Sequence, residues 1–293
     1  MRGQRGVALI LVLWLLVLLT ALLANFAVVS RTEATLAREL RDTTRATYAA
    51  EAGVEIAVVR LSTPDIEQRW VPDGRTYEVE FDDARIEVTV LDEGAKLDLN
   101  VADAAALQRF FAALGLDEMR AARMADVIID FRDADDLAQP MGAERDEYAA
   151  AGMAWGPKND AFTQVQELRQ VIDMTPGLYR RMAPHVTVHT RALPNPAFAA
   201  APVLAAVGYT PDEVEALLAE RGMWLGIGSD TPMAPDATGA MVGHGSGTYS
   251  IRSVARLPDG AKAELNVVLR TMSMGMSGET FTVLERTEGE AHH

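Results

Sequence analysis

The densest group of side chains that could bind a cation lies between Asp130 and Tyr148, in the stretch DFRDADDLAQPMGAERDEY. Seven carboxylates within nineteen residues repel one another unless water or a cation lies between them. Ca²⁺ suits such a group because it accepts six to eight oxygen ligands in a flexible geometry. The stretch is not an EF-hand loop, since Ala138 stands where that loop requires glycine. The sequence therefore predicts a calcium site, with an exposed, solvated acidic turn as the alternative.

No other group of residues predicts chemistry of its own. The chain has no cysteine, which excludes disulfides, thiolate catalysis and cysteine-based metal sites. His185 and His189 would share one face of a strand about 13 Å apart, too far to chelate one metal. Ser246 lies in Gly-Ser-Gly, which lacks the frame of a nucleophile elbow. We therefore expect no catalytic residue and no enzymatic activity.

An apolar run close to the N-terminus predicts a membrane anchor. The eighteen residues from Val7 to Ala24 include one polar side chain, Thr20. As a helix the run measures roughly 27 Å, enough to cross the hydrocarbon core of a bilayer. Arg2 and Arg5 precede it, so the positive-inside rule places the N-terminus in the cytoplasm and the body outside. A cleaved secretory signal is the alternative, although its apolar region is usually only about 7 to 15 residues long.

The helical pattern continues beyond the apolar run. Between Ser30 and Leu61 apolar residues recur at mostly helical spacing with charged residues between them, and Pro64 closes the segment. A short basic leader that ends in Gly6, an apolar run directly after it and an amphipathic continuation resemble a type IV pilin-like precursor. The resemblance implies that a prepilin peptidase cuts between Gly6 and Val7, and that the new N-terminus is methylated.

The fifth residue of the mature chain departs from the pilin pattern. Counted from Val7 it is Leu11, where pilins and most pseudopilins carry glutamate. A carboxylate inside a membrane is costly unless it meets a cation, such as the N-terminal amine of a neighbouring subunit in a fibre. A subunit at the tip has no neighbour above it, so we expect Leu11 to mark a tip position. The alternative is a membrane leucine in a protein unrelated to pilins.

The body alternates between strand-like and helical patterns. The segment from Arg75 to Leu91 predicts a hairpin turned at Asp82-Asp83, and three more strands are expected between Thr248 and Glu285. The predicted fold class is α+β, with a long N-terminal helix packed on an antiparallel sheet and an inserted all-α domain. The expected boundaries are 1–6 for the leader, 7–62 for the anchor helix, 63–95 for the first part of the sheet, 96–222 for the insertion, and 223–293 for a loop and the second part of the sheet.

The insertion contains three segments that resemble helix-hairpin-helix units, with turns at Gly115, at Met174-Thr175-Pro176 and at Gly208. Such units often bind DNA through backbone N–H groups and nearby basic residues. Here residues 97–190 hold 15 acidic and 9 basic residues, and the whole chain has a net charge of −15. Repulsion would defeat phosphate binding, so we expect a packing scaffold and no nucleic-acid partner. A membrane-tethered DNA-uptake receptor is the less favoured alternative.

Several motifs together resemble the protein K family of the type II secretion system. They are the leader RGQRG followed by VALILVLWLL, the segments YAAEAGVE and KLDLN, the acidic stretch, and FTQVQELRQVIDMTPGLYRRMAPHVTV. The resemblance implies a minor pseudopilin of the bacterial inner membrane that caps the tip of a periplasmic pseudopilus. It also implies assembly with the minor pseudopilins I, J and H and the major pseudopilin G. A minor pilin of a type IV pilus is the alternative, although it would usually retain glutamate at Leu11.

The same resemblance implies structural calcium in the acidic stretch. We assign the cation to carboxylates within the following set: Asp133, Asp135, Asp136, Glu144 and Asp146.

Overall fold

A single long helix, α1 (Arg5–Ser62), joins the apolar N-terminal run to the body of the protein. The structure is a computed structural model that describes residues 5–65, 68–226, 245–271 and 281–289. From Leu9 to Arg41 the described side chains of α1 are exposed, and by length and composition this helix could cross a membrane. From Ala46 onward one face of α1 is buried against a sheet. The predicted anchor helix is thus confirmed as one continuous element.

In the described ranges seven strands follow, five of which form one antiparallel sheet in the order β1-β2-β5-β6-β7. The hairpin predicted at Asp82-Asp83 is present, with Asp82 at φ 55°, and the three later strands are confirmed as well. In chain order the strands are β1 (Asp73–Phe81), β2 (Ala84–Asp92), β3 (Leu97–Asp98), β4 (Val186–Thr187), β5 (Thr248–Arg256), β6 (Lys262–Thr271) and β7 (Phe281–Glu288).

The insertion leaves the sheet after β2 and returns to it at β5, its immediate neighbour. It has its own apolar core, and the short strands β3 and β4 pair in parallel near its two ends. Its helices are α2 (Ala104–Ala113), α3 (Glu118–Arg132), α4 (Arg145–Ala150), α5 (Pro176–Met182), α6 (Ala201–Ala206) and α7 (Pro211–Gly226).

The structure changes two details of the predicted insertion. Helix–turn–helix shapes are present around Gly115 (φ 88°) and Gly208 (φ 102°), but the segment before Met174 is a single 3-10 element, Val165–Gln170. The boundary at residue 222 is also wrong, because α7 continues to Gly226. Met and Leu at positions 223 and 225 favour helix, and glycine is a common stop. Of the predicted loop, residues 227–244 lie outside the described part of the chain.

The two ends of the insertion meet at a buried carboxylate. Asp92, at the end of β2, accepts hydrogen bonds from the backbone N–H groups of Gly94 and Ser246, each at 2.8 Å, and from the hydroxyl of Ser246. Burial raises the pKa of Asp92, and these hydrogen bonds oppose that rise. The carboxylate therefore joins the segment that enters the insertion to the segment that leaves it.

The helix α1 approaches the sheet closely at Gly53. A Cβ atom added to Gly53 would overlap the hydroxyl of Ser253 and lie 2.8 Å from Cγ2 of Ile86. Small buried residues on the same face of the helix let the backbone come this near; they are Ala46, Ala49, Ala50 and Ala57. Glycine here is thus a packing requirement, which outweighs its low helix propensity.

Gly53→Ala is expected to lower the stability of the body by about 1 to 2 kcal/mol, since overpacking a tight core costs more than the alanine gains in helix propensity. Gly177→Ala in α5 is the matched control, because nothing lies within 4 Å of a Cβ added there. Thermal melting of both variants measures the difference. An unchanged or higher melting temperature for Gly53→Ala would contradict the packing requirement.

Candidate cation site

Three carboxylates from the acidic stretch converge at the end of α3 and the start of α4. Asp130 lies in the last turn of α3, Asp133 is the residue after that helix, and Glu144 precedes α4. Each offers a carboxylate oxygen within 4.8 Å of the oxygens offered by the other two. The three side chains therefore form one cluster of hard oxygen ligands, which we name the carboxylate cluster.

Two members of the carboxylate cluster have buried oxygens with no hydrogen-bond partner among the described residues. Glu144 is only 7% exposed, and neither of its carboxylate oxygens has a hydrogen-bond partner among the described residues. Oδ1 of Asp133 is likewise buried and unpartnered in this part of the chain. A buried carboxylate with no donor carries a large desolvation cost, so the arrangement needs a proton or a cation.

The raised pKa values of the carboxylate cluster also indicate that it needs a proton or a cation. Burial, followed by the charges of Asp130, Asp133 and their neighbours, raises the pKa of Glu144 to about 7. Burial also raises the pKa of Asp130 and of Asp133. Each shift means that the folded protein disfavours the bare negative charge. A divalent cation would reverse this, because it binds the charged form of all three groups.

The loop between α3 and α4 holds the cluster in place through its backbone. Asp130 accepts hydrogen bonds from the N–H groups of Gln139 at 3.1 Å and Ala143 at 2.7 Å. Arg123 donates to the carbonyl oxygens of Met141 and Gly142 at 2.6 and 2.7 Å, which draws the loop onto α3. A Cβ at Gly142 would collide with the carboxylate of Asp130. Glycine at this position is therefore what allows the loop to close over Asp130.

The structure brings together two of the five residues that the sequence predicts as cation ligands. Asp133 and Glu144 belong to the carboxylate cluster, whereas Asp146 is exposed on α4 and is not part of it. Asp135 and Asp136 are exposed, and their oxygens already accept hydrogen bonds from Leu137 N and from the amide of Asn159. Both still add negative charge near Glu144.

Two further residues were not among the predicted ligands. Asp130 was part of the acidic stretch but was not assigned, since its position inside a helical pattern hides that its side chain is buried. Asn159 lies in a different loop, with φ at 51°, and donates to Asp136 Oδ1 at 2.9 Å. Its own amide oxygen is buried and unpartnered within the described residues, which makes it a neutral oxygen beside the acidic loop.

The residues predicted for processing and for the tip lie in or next to α1. Gly6 and Val7 are within the helix, but their side chains and the leader residues 1–4 lie outside the described part of the structure. Leu11 is 66% exposed on the bare part of α1, as expected for a side chain that meets lipid or another helix.

The histidines differ from the prediction, because His185 ends a 3-10 turn and only Val186–Thr187 between them is a strand.

Comparisons with known proteins agree with this architecture. Residues 84–191 match the family model described as type II secretion system (T2SS), protein K. The type II secretion system protein K of Dickeya chrysanthemi is 37% identical over 81 residues, which are 28% of this chain and 22% of that protein. The putative type II secretion system protein K of Escherichia coli K12 is 28% identical over 63% of this chain and 62% of that protein. The matches thus span less than two thirds of the length of these two relatives.

A solved structure shares the fold. It is a chain of the GspK-GspI-GspJ complex from enterotoxigenic Escherichia coli, with a TM-score of 0.61 and 19% sequence identity, over 86% of this chain and 99% of that chain. The match of residues 84–191 to the protein K family model, together with these relatives, confirms the resemblance found in the sequence.

Glu144 predicts a pH dependence for the metal-free protein. Its folded pKa of about 7 lies above the unfolded value of 4.5, so the folded state binds the extra proton. The free energy of unfolding should therefore fall as pH rises from 4.5 to about 7 and level off above that. Thermal melts in chelator across this range measure the slope, which Glu144→Gln should reduce. Asp146→Asn, at an exposed position of α4, is the control and should keep the slope; equal slopes for both variants would contradict the assignment.

Proposed function

We propose that this chain is a minor pseudopilin of the type II secretion system that caps the tip of the periplasmic pseudopilus and helps to initiate its assembly. In this role it contributes to the export of folded proteins across the outer membrane. The chain would be a single-pass protein of the inner membrane, with a cytoplasmic N-terminus and a periplasmic body. It has no catalytic role in the proposal.

The observation that carries this proposal is the contrast between the two ends of the molecule. The described side chains of α1 from Leu9 to Arg41 are exposed, so this stretch is available to pack among lipids and neighbouring helices. The other end carries the insertion, whose core is separate from that of the sheet. A subunit that joins a fibre through its helix and carries such a domain fits the end of the fibre better than its interior.

The partners follow from the similar structure, which was solved as a complex of GspK, GspI and GspJ. We propose counterparts of minor pseudopilins I and J as direct partners, with H and the major pseudopilin G adjoining them through α1. The test is co-purification of the detergent-solubilised full-length chain with each candidate from the same organism. We expect a stable complex with I and J. Capture of a type IV minor pilin, with neither I nor J bound, would favour the pilus alternative.

DNA uptake is the weaker candidate on structural grounds. The carboxylate of Asp117 caps the N-terminus of α3 and accepts from Arg120 N at 2.9 Å, so it occupies the position that a DNA phosphate would need in the first hairpin. Duplex DNA should therefore show no binding even at low salt, where phosphate contacts are strongest.

Processing provides an independent prediction. If the peptidase cuts between Gly6 and Val7, mass spectrometry of the membrane-extracted protein should find a methylated Val7 as the N-terminus. Gly6→Val should block maturation, since a pocket shaped for glycine rejects a β-branched side chain. An intact Met1 form of the wild-type chain, in cells with active prepilin peptidase, would overturn the pilin-like anchor. Gly3→Val, within the same leader, is the matched control and should be processed normally.

The carboxylate cluster is the second part of the proposal, and we assign it to structural Ca²⁺. Asp130, Asp133 and Glu144 would supply charged oxygens, and the amide oxygen of Asn159 a neutral one. The support is the set of buried, unpartnered oxygens, which suits a hard cation with several oxygen ligands. When bound, the ion would neutralise charges that otherwise repel one another.

Calcium should raise the stability of the full-length protein by mass action, by about 2.7 kcal/mol at a hundredfold excess over its dissociation constant. Chelator should lower the melting temperature and Ca²⁺ restore it, whereas Mg²⁺ should restore it poorly because it demands a tighter octahedral shell. Asp133→Asn and Asn159→Ala should weaken the response, and Asp146→Asn should not. A melting curve indifferent to chelator would leave the loop as a solvated acidic turn.

A further inference from the structure

A cleft of 330 Å³ separates the insertion from the face of the sheet that does not contact α1. Strands β2, β5, β6 and β7 form one wall, and residues from the insertion form the other. The sheet side of the lining includes the polar side chains of Thr89, Ser250, Asn266 and Glu285. The contacts that cross the cleft therefore decide how firmly the insertion sits on the sheet.

Two of these contacts meet at Glu285 on strand β7. Gln166, in the 3-10 segment Val165–Gln170, donates its amide to Oε1 of Glu285 at 3.0 Å. His189, just after β4, places Nε2 at 3.6 Å from Oε2 of the same carboxylate. Nε2 of His189 is buried and has no hydrogen-bond partner among the described residues. One carboxylate on the sheet is thus approached by two side chains of the insertion, and only one of them is bonded to it.

We propose that His189 and Glu285 form a proton-dependent latch between the helical insertion and the sheet. A neutral imidazole leaves Nε2 unpaired, whereas a protonated one donates to Glu285 and becomes an ion pair with it. Histidine is the side chain that gains its proton between about pH 8 and about pH 5. The latch is open in the neutral form and closed in the protonated form. This inference does not depend on the proposed role in secretion.

Several charged groups near His189 and along the cleft have partners of their own. Arg270 on β6 donates to the backbone carbonyl of His189 at 2.7 Å, so it fixes the backbone and leaves the imidazole free to move towards Glu285. Further along the cleft, Glu93 pairs with Lys96, and Arg252 on β5 pairs with Glu264 at 2.7 Å. Glu285 is consequently the acidic group placed to receive the proton-bearing nitrogen.

The chain has no cysteine, which makes a distance measurement between two introduced labels clean. Spin labels at Glu80→Cys on the sheet and Met119→Cys on the insertion, both exposed positions, report how the two parts are held in the detergent-solubilised full chain. Ca²⁺ is kept in constant excess so that the carboxylate cluster does not titrate. The closed latch should give a narrow distribution of label distances and the open latch a broad one. When the pH is lowered from about 8 to about 5, the ratio of the narrow population to the broad one should rise about two- to fivefold, as for a partly exposed ion pair.

Three variants make the test specific. His189→Gln and Glu285→Gln should each abolish the change with pH, and circular dichroism checks that both remain folded. His185→Gln is the matched control, since that histidine packs against Phe110 and should leave the change intact. Gln166→Ala removes the pH-independent contact and should broaden the distances at every pH while the dependence persists. A wild-type distribution that does not change with pH, or a change that survives His189→Gln, would overturn the latch.

Discussion

The structure depends on one constraint: a long insertion must leave and re-enter the sheet between two neighbouring strands. β2 and β5 pair directly, so the residues on either side of the insertion have to meet within a strand spacing. Asp92 links those residues through Ser246, and Glu93 bonds Lys96, Ser250 and Thr187. Ser250 belongs to the sheet and Thr187 to the insertion. A buried carboxylate destabilises the fold unless hydrogen bonds or ion pairs compensate its charge. Here those bonds hold the two ends of the insertion together and join the insertion to the sheet.

This junction explains why the sheet tolerates the insertion. There are two separate apolar cores, one between α1 and the sheet and one inside the insertion. Each part can therefore bury its apolar side chains within its own core. All three residues of the carboxylate cluster belong to the insertion, and Phe131, which stacks on Phe162, follows Asp130 directly in the sequence. A cation there would stabilise the insertion and leave the contact between Gly53 and Ser253 unaffected. The helix α1 and the sheet thus share one apolar core, whereas polar contacts join the sheet to the insertion.

Local patterns predicted the elements well, and tertiary contacts explain what they missed. The alternation of β-forming and charged residues predicted β1, β2 and the turn at Asp82. This pattern arises because one face of that hairpin is buried against α1 and the other is not. Asp130 was not predicted as a ligand, since its burial depends on the approach of Gly142 across a loop. Asn159 is distant in sequence from the acidic stretch and comes near it only through its bonds to Asp136 and Phe131. A contact between residues so far apart in the chain leaves no periodic pattern in the sequence.

The buried acids of this protein differ in how their negative charge is compensated. Asp98 is 1% exposed and accepts from the N–H groups of Asn100, Thr190 and Arg191 and from the hydroxyl of Thr190, at 2.7 to 3.1 Å. Its charge is stabilised by four donors. Glu144 is nearly as buried and has none within the described residues. Because desolvation costs both groups alike, the absent donors around Glu144 have to be replaced by a proton or by a cation. Burial alone therefore does not point to a cation site; burial without donors, beside other carboxylates, is what supports the proposed one.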